Sequence, residues 1–202
     1  MKNVTLALLA LTLTTAAAHA NPIPYPDAGT VASSYAITAQ ATGNVTGYFV
    51  GYSAADTDQI RLVDLTSGYT SAYFFTNNTT APGSIANFGS VTAGDTLVFQ
   101  INNLSTGNVF SSTAAMSDDG IPHAYITGFS GGTLNGVTYA AGNYTYVGME
   151  DLPKSSSDLD YNDDQFLFTN VAATPTPEPA SLALFGTGLL GAVGSLRRRI
   201  RC

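Results

Sequence analysis

From residue 21 to residue 174 no stretch carries the 3.6-residue apolar period of a helix, whereas short runs with apolar side chains at every second position recur. Such runs can bury one face only as strands, because alternate side chains of a strand share a side. Residues 95–101 are the clearest case, with Leu97, Phe99 and Ile101 in phase, and residues 59–65 place Ile60 and Leu62 together. Further strands are predicted over 34–38, 45–52, 69–76, 123–127, 138–139, 144–149 and 165–171. Turn residues separate them at Thr66-Ser67-Gly68, Ala93-Gly94-Asp95, Gly131-Gly132, Asn135-Gly136 and Ala141-Gly142-Asn143. Asn135-Gly136 is the strongest hairpin signal, since both residues tolerate the positive φ of a primed turn. Short strands at this spacing, with no internal repeat of fixed period, predict an all-β domain over 21–173, an antiparallel sandwich or a jelly roll.

The two ends are built differently. Lys2 followed by a mostly apolar run over 4–13 and then Ala18-His19-Ala20 reads as a signal peptide over 1–20. Ala18 and Ala20 are the small residues that signal peptidase inspects, with cleavage expected before Asn21. The run is too short to span a hydrocarbon core of about 30 Å. At the other end, Thr174-Pro175-Thr176-Pro177-Glu178-Pro179 is a stiff segment, because each proline fixes φ and removes a donor. Residues 180–196 are uncharged and apolar or small, and a helix of that length rises about 25 Å, enough to cross a locally thinned bilayer. Arg197, Arg198 and Arg199 open the basic tail, 197–202, and hold it on the cytoplasmic side, which leaves the residues before Pro175 outside. Both ends therefore predict one orientation.

Pro177-Glu178-Pro179, the glycine-bearing stretch with Gly186, Gly188, Gly191 and Gly194, and the terminal arginines together resemble the PEP-CTERM sorting signal of exopolysaccharide-producing Gram-negative bacteria. The resemblance implies an exosortase, an integral-membrane enzyme, as the partner that recognises Pro177-Glu178-Pro179 and processes the tail. It also implies a transient inner-membrane anchor followed by residence in the envelope or the extracellular matrix. The opening residues of the mature segment, 21–51, are similar to those of other proteins of this kind.

Charge narrows what the exported part can bind. Between residues 21 and 174 thirteen acidic side chains face two basic ones, Arg61 and Lys154, a net charge of −11. Such a domain repels phosphate backbones, which excludes nucleic acid as a partner, and suits a divalent cation or a neutral glycan. The single cysteine, Cys202, lies beyond the arginines, so no disulfide supports the domain.

Six of the thirteen acids fall within residues 150–164: Glu150, Asp151, Asp158, Asp160, Asp163 and Asp164. In an extended loop Asp158, Asp160 and Asn162 point the same way. Like charges this dense need solvent or a cation, and Ca²⁺ takes six to eight oxygen ligands of this kind, so the candidate metal set is Glu150, Asp151, Asp158, Asp160, Asn162, Asp163 and Asp164. Extracellular sites of this type bind with Kd on the order of 10⁻⁴ to 10⁻³ M. An EF-hand does not fit: with Asp158 in the first position, Asp163 stands where glycine is required and Thr169 where a bidentate glutamate is required. The alternative is a solvated turn rich in Asp and Asn that binds nothing.

Glu150-Asp151-Leu152, the run from Asp158-Leu159-Asp160 to Tyr161-Asn162-Asp163, and Phe166-Leu167-Phe168 resemble the C-terminal signature of a secreted bacterial domain family of unknown function. Met149 stands where that family more often has an aromatic. The resemblance implies a β-rich secreted domain with metal coordination, and no known reaction.

Catalytic signals are sparse. His123 is the only histidine of the mature segment, no Gly-x-Ser-x-Gly stretch occurs, and one histidine does not make a His-rich zinc site. Three functions follow in order: a non-catalytic surface or exopolysaccharide-matrix protein with a calcium loop; a carbohydrate-binding module using Tyr48, Tyr52, Tyr69, Tyr73 or Phe74; and a matrix glycan hydrolase with Glu150 as its acid.

Overall fold

A computed structural model describes residues 23–176. The expected signal peptide with Ala18 and Ala20, the Pro177-Glu178-Pro179 segment, the helix over 180–196 and Arg197–Arg199 lie outside the described residues. Among the described residues no helix is long and apolar enough to cross a membrane.

Among the described residues twelve strands follow one another: β1 Tyr35–Ala39, β2 Gly43–Tyr52, β3 Asp58–Asp64, β4 Ile85–Val91, β5 Leu97–Asn103, β6 Val109–Ser111, β7 Ala124–Phe129, β8 Gly132–Leu134, β9 Val137–Tyr139, β10 Tyr144–Met149, β11 Asp164–Thr169 and β12 Val171–Pro175. A single 3₁₀ turn, Ala114–Met116, interrupts them. Every strand pairing is antiparallel. One sheet has the order β4-β2-β11-β10-β7, a second β3-β5-β6; β1 pairs with β12, and β8 with β9.

The inward rows of the two larger sheets meet in one core. Phe49 of β2, Val147 and Met149 of β10 and Phe166 and Phe168 of β11 pack against Ile60 and Leu62 of β3 and Phe99 and Ile101 of β5. Phe99 and Phe168 stack across the layers at 4.2 Å between ring centres. These side chains are withdrawn from water, and each contributes about 1.5–3 kcal/mol of burial. The expected all-β antiparallel fold is the one observed. The β8–β9 hairpin turns at Asn135 and Gly136, with φ of 44° and 78°, as the primed-turn reading requires. It covers the outer face of the larger sheet, where Val50, Tyr146 and Leu167 form a second cluster with Phe129 and Tyr139.

Several segments differ from expectation, among them the short strands β6 and β8, which form where no strand is predicted. Residues 69–76 form no strand; they run beside β3 and make with it the isolated bridges Ile60↔Phe74 and Val63↔Thr70 rather than a continuous ladder. Ser71 Oγ accepts the Leu62 N–H at 2.9 Å, a side chain standing where a ladder carbonyl would, and Phe75 turns out of extended geometry at φ 56°. Residues 165–171 divide at Asn170, whose φ of 64° swings the chain from the larger sheet to β1. β12 then runs to Pro175, so the fold takes in the first residues of the proline segment. β4 carries no clear alternation, because it sits at the sheet edge with Ile85 exposed and Gly89 at φ 107°.

Candidate cation-binding site

At one end of the sandwich four core strands extend their inward rows into polar groups. The row Leu62-Ile60 of β3 ends in Asp58, the row Phe99-Ile101 of β5 in Asn103, and the row Phe168-Phe166 of β11 in Asp164. Asp151 stands two residues beyond Met149, the last residue of β10. Register aligns them: Asp58 lies opposite Asn103, and Asp164 lies between Met149 of β10 and Tyr52 of β2. Asp58, Asn103, Asp151 and Asp164 are all buried. The acidic residues here form two neighbouring groups.

The first group is Glu150, Asp158 and Asp160, whose carboxylate oxygens lie within 4.8 Å of one another. Glu150 leaves the end of β10 fully buried, while Asp158 is exposed. The Ser157 hydroxyl donates to one Glu150 oxygen and the Tyr161 backbone N–H to the other. Burial pushes the Glu150 carboxyl up to about 7, against the pull of those two donors and with help from the charges of Asp163 and Asp158. The loop carrying Asp158 and Asp160 is not extended: Leu159 and Tyr161 adopt φ of 52° and 59°. These left-handed residues fold the loop back on Glu150, with the side chains of Leu159 and Tyr161 buried beneath. A strap of chain before β1 closes over it. Gly29 N–H donates to the Asp158 carbonyl at 2.6 Å, and Ala32 N–H to the Tyr161 hydroxyl at 2.5 Å.

The second group gathers Asp58, Asp151, Asp163 and Asp164, with Asp56 at its rim. Asp164 is 1% exposed and neither of its oxygens receives a hydrogen bond; Oδ1 of Asp58 is likewise buried and unpartnered. Two asparagines brace the surroundings. Asn77 Nδ2 donates to Asp58 Oδ2 and to the Asp56 carbonyl, both at 3.1 Å. Asn103 Nδ2 donates to Asp56 Oδ2 at 2.8 Å and to the Asp151 carbonyl at 3.0 Å. The Asp151 N–H donates to Asp163 Oδ2 at 3.2 Å. Burial, reinforced by mutual repulsion, pushes Asp58, Asp151 and Asp163 each up to about 7 and Asp164 well above the carboxylate range. Among the described residues the one ion pair is His123 with Asp119, so no lysine or arginine neutralises the group. Arg61 instead donates to Gln100 at 3.0 Å and lies over the Tyr73 ring.

The candidate residues therefore divide. Glu150, Asp158 and Asp160 converge in the first group, and Asp151, Asp163 and Asp164 belong to the second. Asn162 serves Asp160, to which both its backbone N–H and its side-chain amide donate. Asp56, Asp58, Asn77 and Asn103 escape a reading confined to the 150–164 loop. A signal was present: Asp58 keeps the phase of Ile60 and Leu62, so alternation alone points its charge inward.

His123 is buried, stacks on Phe110 at 4.3 Å and bonds through Nε2 to Asp119 Oδ1 at 2.9 Å. Burial lowers its basicity despite Asp119. Of the candidate sugar-stacking aromatics, Phe74 packs on the core against Phe88 and Tyr48 against Tyr139 and Tyr144, while Tyr52 and Tyr69 are exposed.

A family model of the PEP-CTERM protein-sorting motif matches residues 175–199. The motif implies an exported protein that an exosortase processes, anchored transiently in the membrane beforehand. No curated protein matches the chain. The match begins at the last residue of β12, and Thr176 N–H still donates to the Ser34 carbonyl at 2.8 Å, so the motif leaves directly from the β1–β12 ribbon.

Proposed function

We propose that the exported domain is a non-catalytic protein of the cell surface or exopolysaccharide matrix whose loop between β10 and β11 binds Ca²⁺. The carrying observation is the convergence of Glu150, Asp158 and Asp160 oxygens within 4.8 Å at the end of a rigid strand. A purely oxygen donor set of three carboxylates suits a hard cation, and Ca²⁺ tolerates the irregular geometry of such a loop. Asp158 is exposed, which leaves the outer side of the ion open to water or to the acidic groups of a polysaccharide. Support for a non-catalytic role comes from Glu150, whose two oxygens are engaged by Ser157 and Tyr161, and from His123, whose ring stacks on Phe110 and whose Nε2 is paired with Asp119.

Calcium addition to the exported protein raises its melting temperature under this reading, and Asp158→Ala with Asp160→Ala reduces the rise. A melt identical in millimolar Ca²⁺ and in chelator sinks it. A glycan-binding role is the second reading, favoured by Tyr52, which is 45% exposed and lies opposite Asp164 beside the acidic end. Glycan binding lost in Tyr52→Ala at unchanged stability would favour it.

A further inference from the structure

We infer that Asp58, Asp151 and Asp164 form a second Ca²⁺ site, separate from the loop site and placed between the two sheets, with Asp163 and Asp56 beside it. The inference does not depend on the loop reading, since it uses other carboxylates.

The decisive observation is a set of buried oxygens without donors. Asp164 Oδ1, Asp164 Oδ2 and Asp58 Oδ1 are withdrawn from water and accept nothing. A buried polar atom left this way is costly, and folded proteins keep few of them without an ion or a bound water. The opposite end of the same strand shows what a satisfied aspartate looks like here. Asp64 closes β3 equally buried, yet it accepts the Thr66 and Ser67 N–H groups at 2.9 and 3.2 Å and the Ser67 hydroxyl at 2.5 Å. Its carboxyl is held below its ordinary value despite burial, because those donors stabilise the charge. Asp164 has no comparable donors and sits among like charges.

Position argues for an ion as well. Asp58 comes from the β3-β5-β6 sheet and Asp164 from the larger sheet, so a shared cation ties the two layers at the end of the core. The Asn77 amide engages one Asp58 oxygen and the Asn103 amide one Asp56 oxygen and the Asp151 backbone carbonyl, while Asp58 Oδ1 and both Asp164 oxygens stay free. The donors are all oxygen, which excludes soft metals. They come from three separate segments, and Ca²⁺ accepts such flexible, many-ligand geometry where Mg²⁺ demands a compact octahedron.

Thermal melts of the exported protein in Ca²⁺, Mg²⁺ and chelator test this. In the Asp158→Ala/Asp160→Ala background the second site survives, so Ca²⁺ still raises the melting temperature, by about 3–6 °C at ten times Kd. Asp58→Asn, which keeps the shape and the Asn77 contact, removes that residual rise, and Mg²⁺ gives a smaller one. No residual rise in the double variant overturns the inference while leaving the loop site standing. An Asp58→Asn protein that is stabilised equally in Ca²⁺ and in chelator also overturns it, because the carboxylates would then be holding protons rather than an ion.

Discussion

Burial, with the charge of Asp58 of β3 added to it, holds the Asp164 carboxyl of β11 well above the carboxylate range, and three of the four carboxylate oxygens of this pair receive no hydrogen bond. Among the described residues no lysine or arginine pairs with this charge, and Arg61 is engaged by Gln100 and Tyr73. The fold thus concentrates its electrostatic cost at one end of the sandwich, the place of the proposed ion.

That charge gives the metal-free protein a definite response to pH. Glu150, Asp58, Asp151 and Asp163 titrate near 7 in the folded chain, against ordinary values of 4.5 for Glu and 3.8 for Asp. Between those values the folded state holds more protons than the unfolded one, so stability is present at the acid end and is lost as pH rises through about 7. His123, held neutral by burial, acts in the opposite sense below its ordinary 6.5, but one group does not outweigh four. In chelator the melting temperature is expected to fall from pH 5 to pH 8, and Ca²⁺ is expected to flatten the slope. A metal-free melting temperature that rises over that range would refute the account.

Tyr161 joins the acidic loop to the strap before β1. Its hydroxyl accepts the Ala32 N–H at 2.5 Å and lies 3.3 Å from the Thr30 carbonyl. Tyr161→Phe leaves that buried N–H without an acceptor and is expected to cost about 1–3 kcal/mol. Limited proteolysis should then cut the strap between residues 26 and 32 faster than in the parent, with the β-sheet circular dichroism unchanged.

Asn170 divides β11 from β12, and its side chain also ties the turn before β2. Its Oδ1 accepts the Ala41 N–H at 2.8 Å and its Nδ2 donates to the Ala41 carbonyl at 2.9 Å. Asn170→Ala loses both bonds and keeps a left-handed φ of 64° that costs a side chain without such bonds about 1–2 kcal/mol. Asn170→Gly relieves the second cost only and should fall between the parent and the alanine variant in chemical denaturation. Equal stability of the three proteins would remove the hinge role.

Much of this fold is legible from two-residue alternation, because β3 and β5 carry their core side chains at every second position, whereas β10 buries both of its faces. The parts that are not legible have local causes. Residues 69–76 carry the aromatic composition of a strand, but Ser71 Oγ takes the Leu62 N–H in place of a backbone carbonyl, and only isolated bridges form on either side of it. Asn170 looks like an interior residue of one strand until its φ is known. The site was half visible for a related reason. Acids crowded in 150–164 attract notice as a cluster, whereas Asp58 is one charge at the start of an ordinary strand, about ninety residues away. Its meaning comes from phase: it continues an inward row, as Asp164 does on the facing sheet. The convergence of Asp158 and Asp160 was expected from an extended loop and instead arises from the left-handed Leu159 and Tyr161.

Gly148 ties the acidic loop to the sheet by what it lacks. A Cβ built there overlaps the Tyr161 carbonyl oxygen, so the loop can lie against β10 only because this position has no side chain. Gly148 is neither a ligand nor in the left-handed region, and its neighbours Val147 and Met149 belong to the core. Gly148→Ala therefore leaves the backbone conformation accessible and displaces the loop instead, at about 1–3 kcal/mol for an overpacked contact with backbone. Glu150 sits two residues away and depends on the Tyr161 N–H for one of its two donors, so the same displacement separates Glu150 from Asp158 and Asp160. The expected result is a weakened Ca²⁺ response of the melting temperature with a smaller change in chelator, where the loop contributes less. If the variant loses stability equally with and without Ca²⁺, the loop is coupled to the sheet by packing alone and the ion has no part in holding it there.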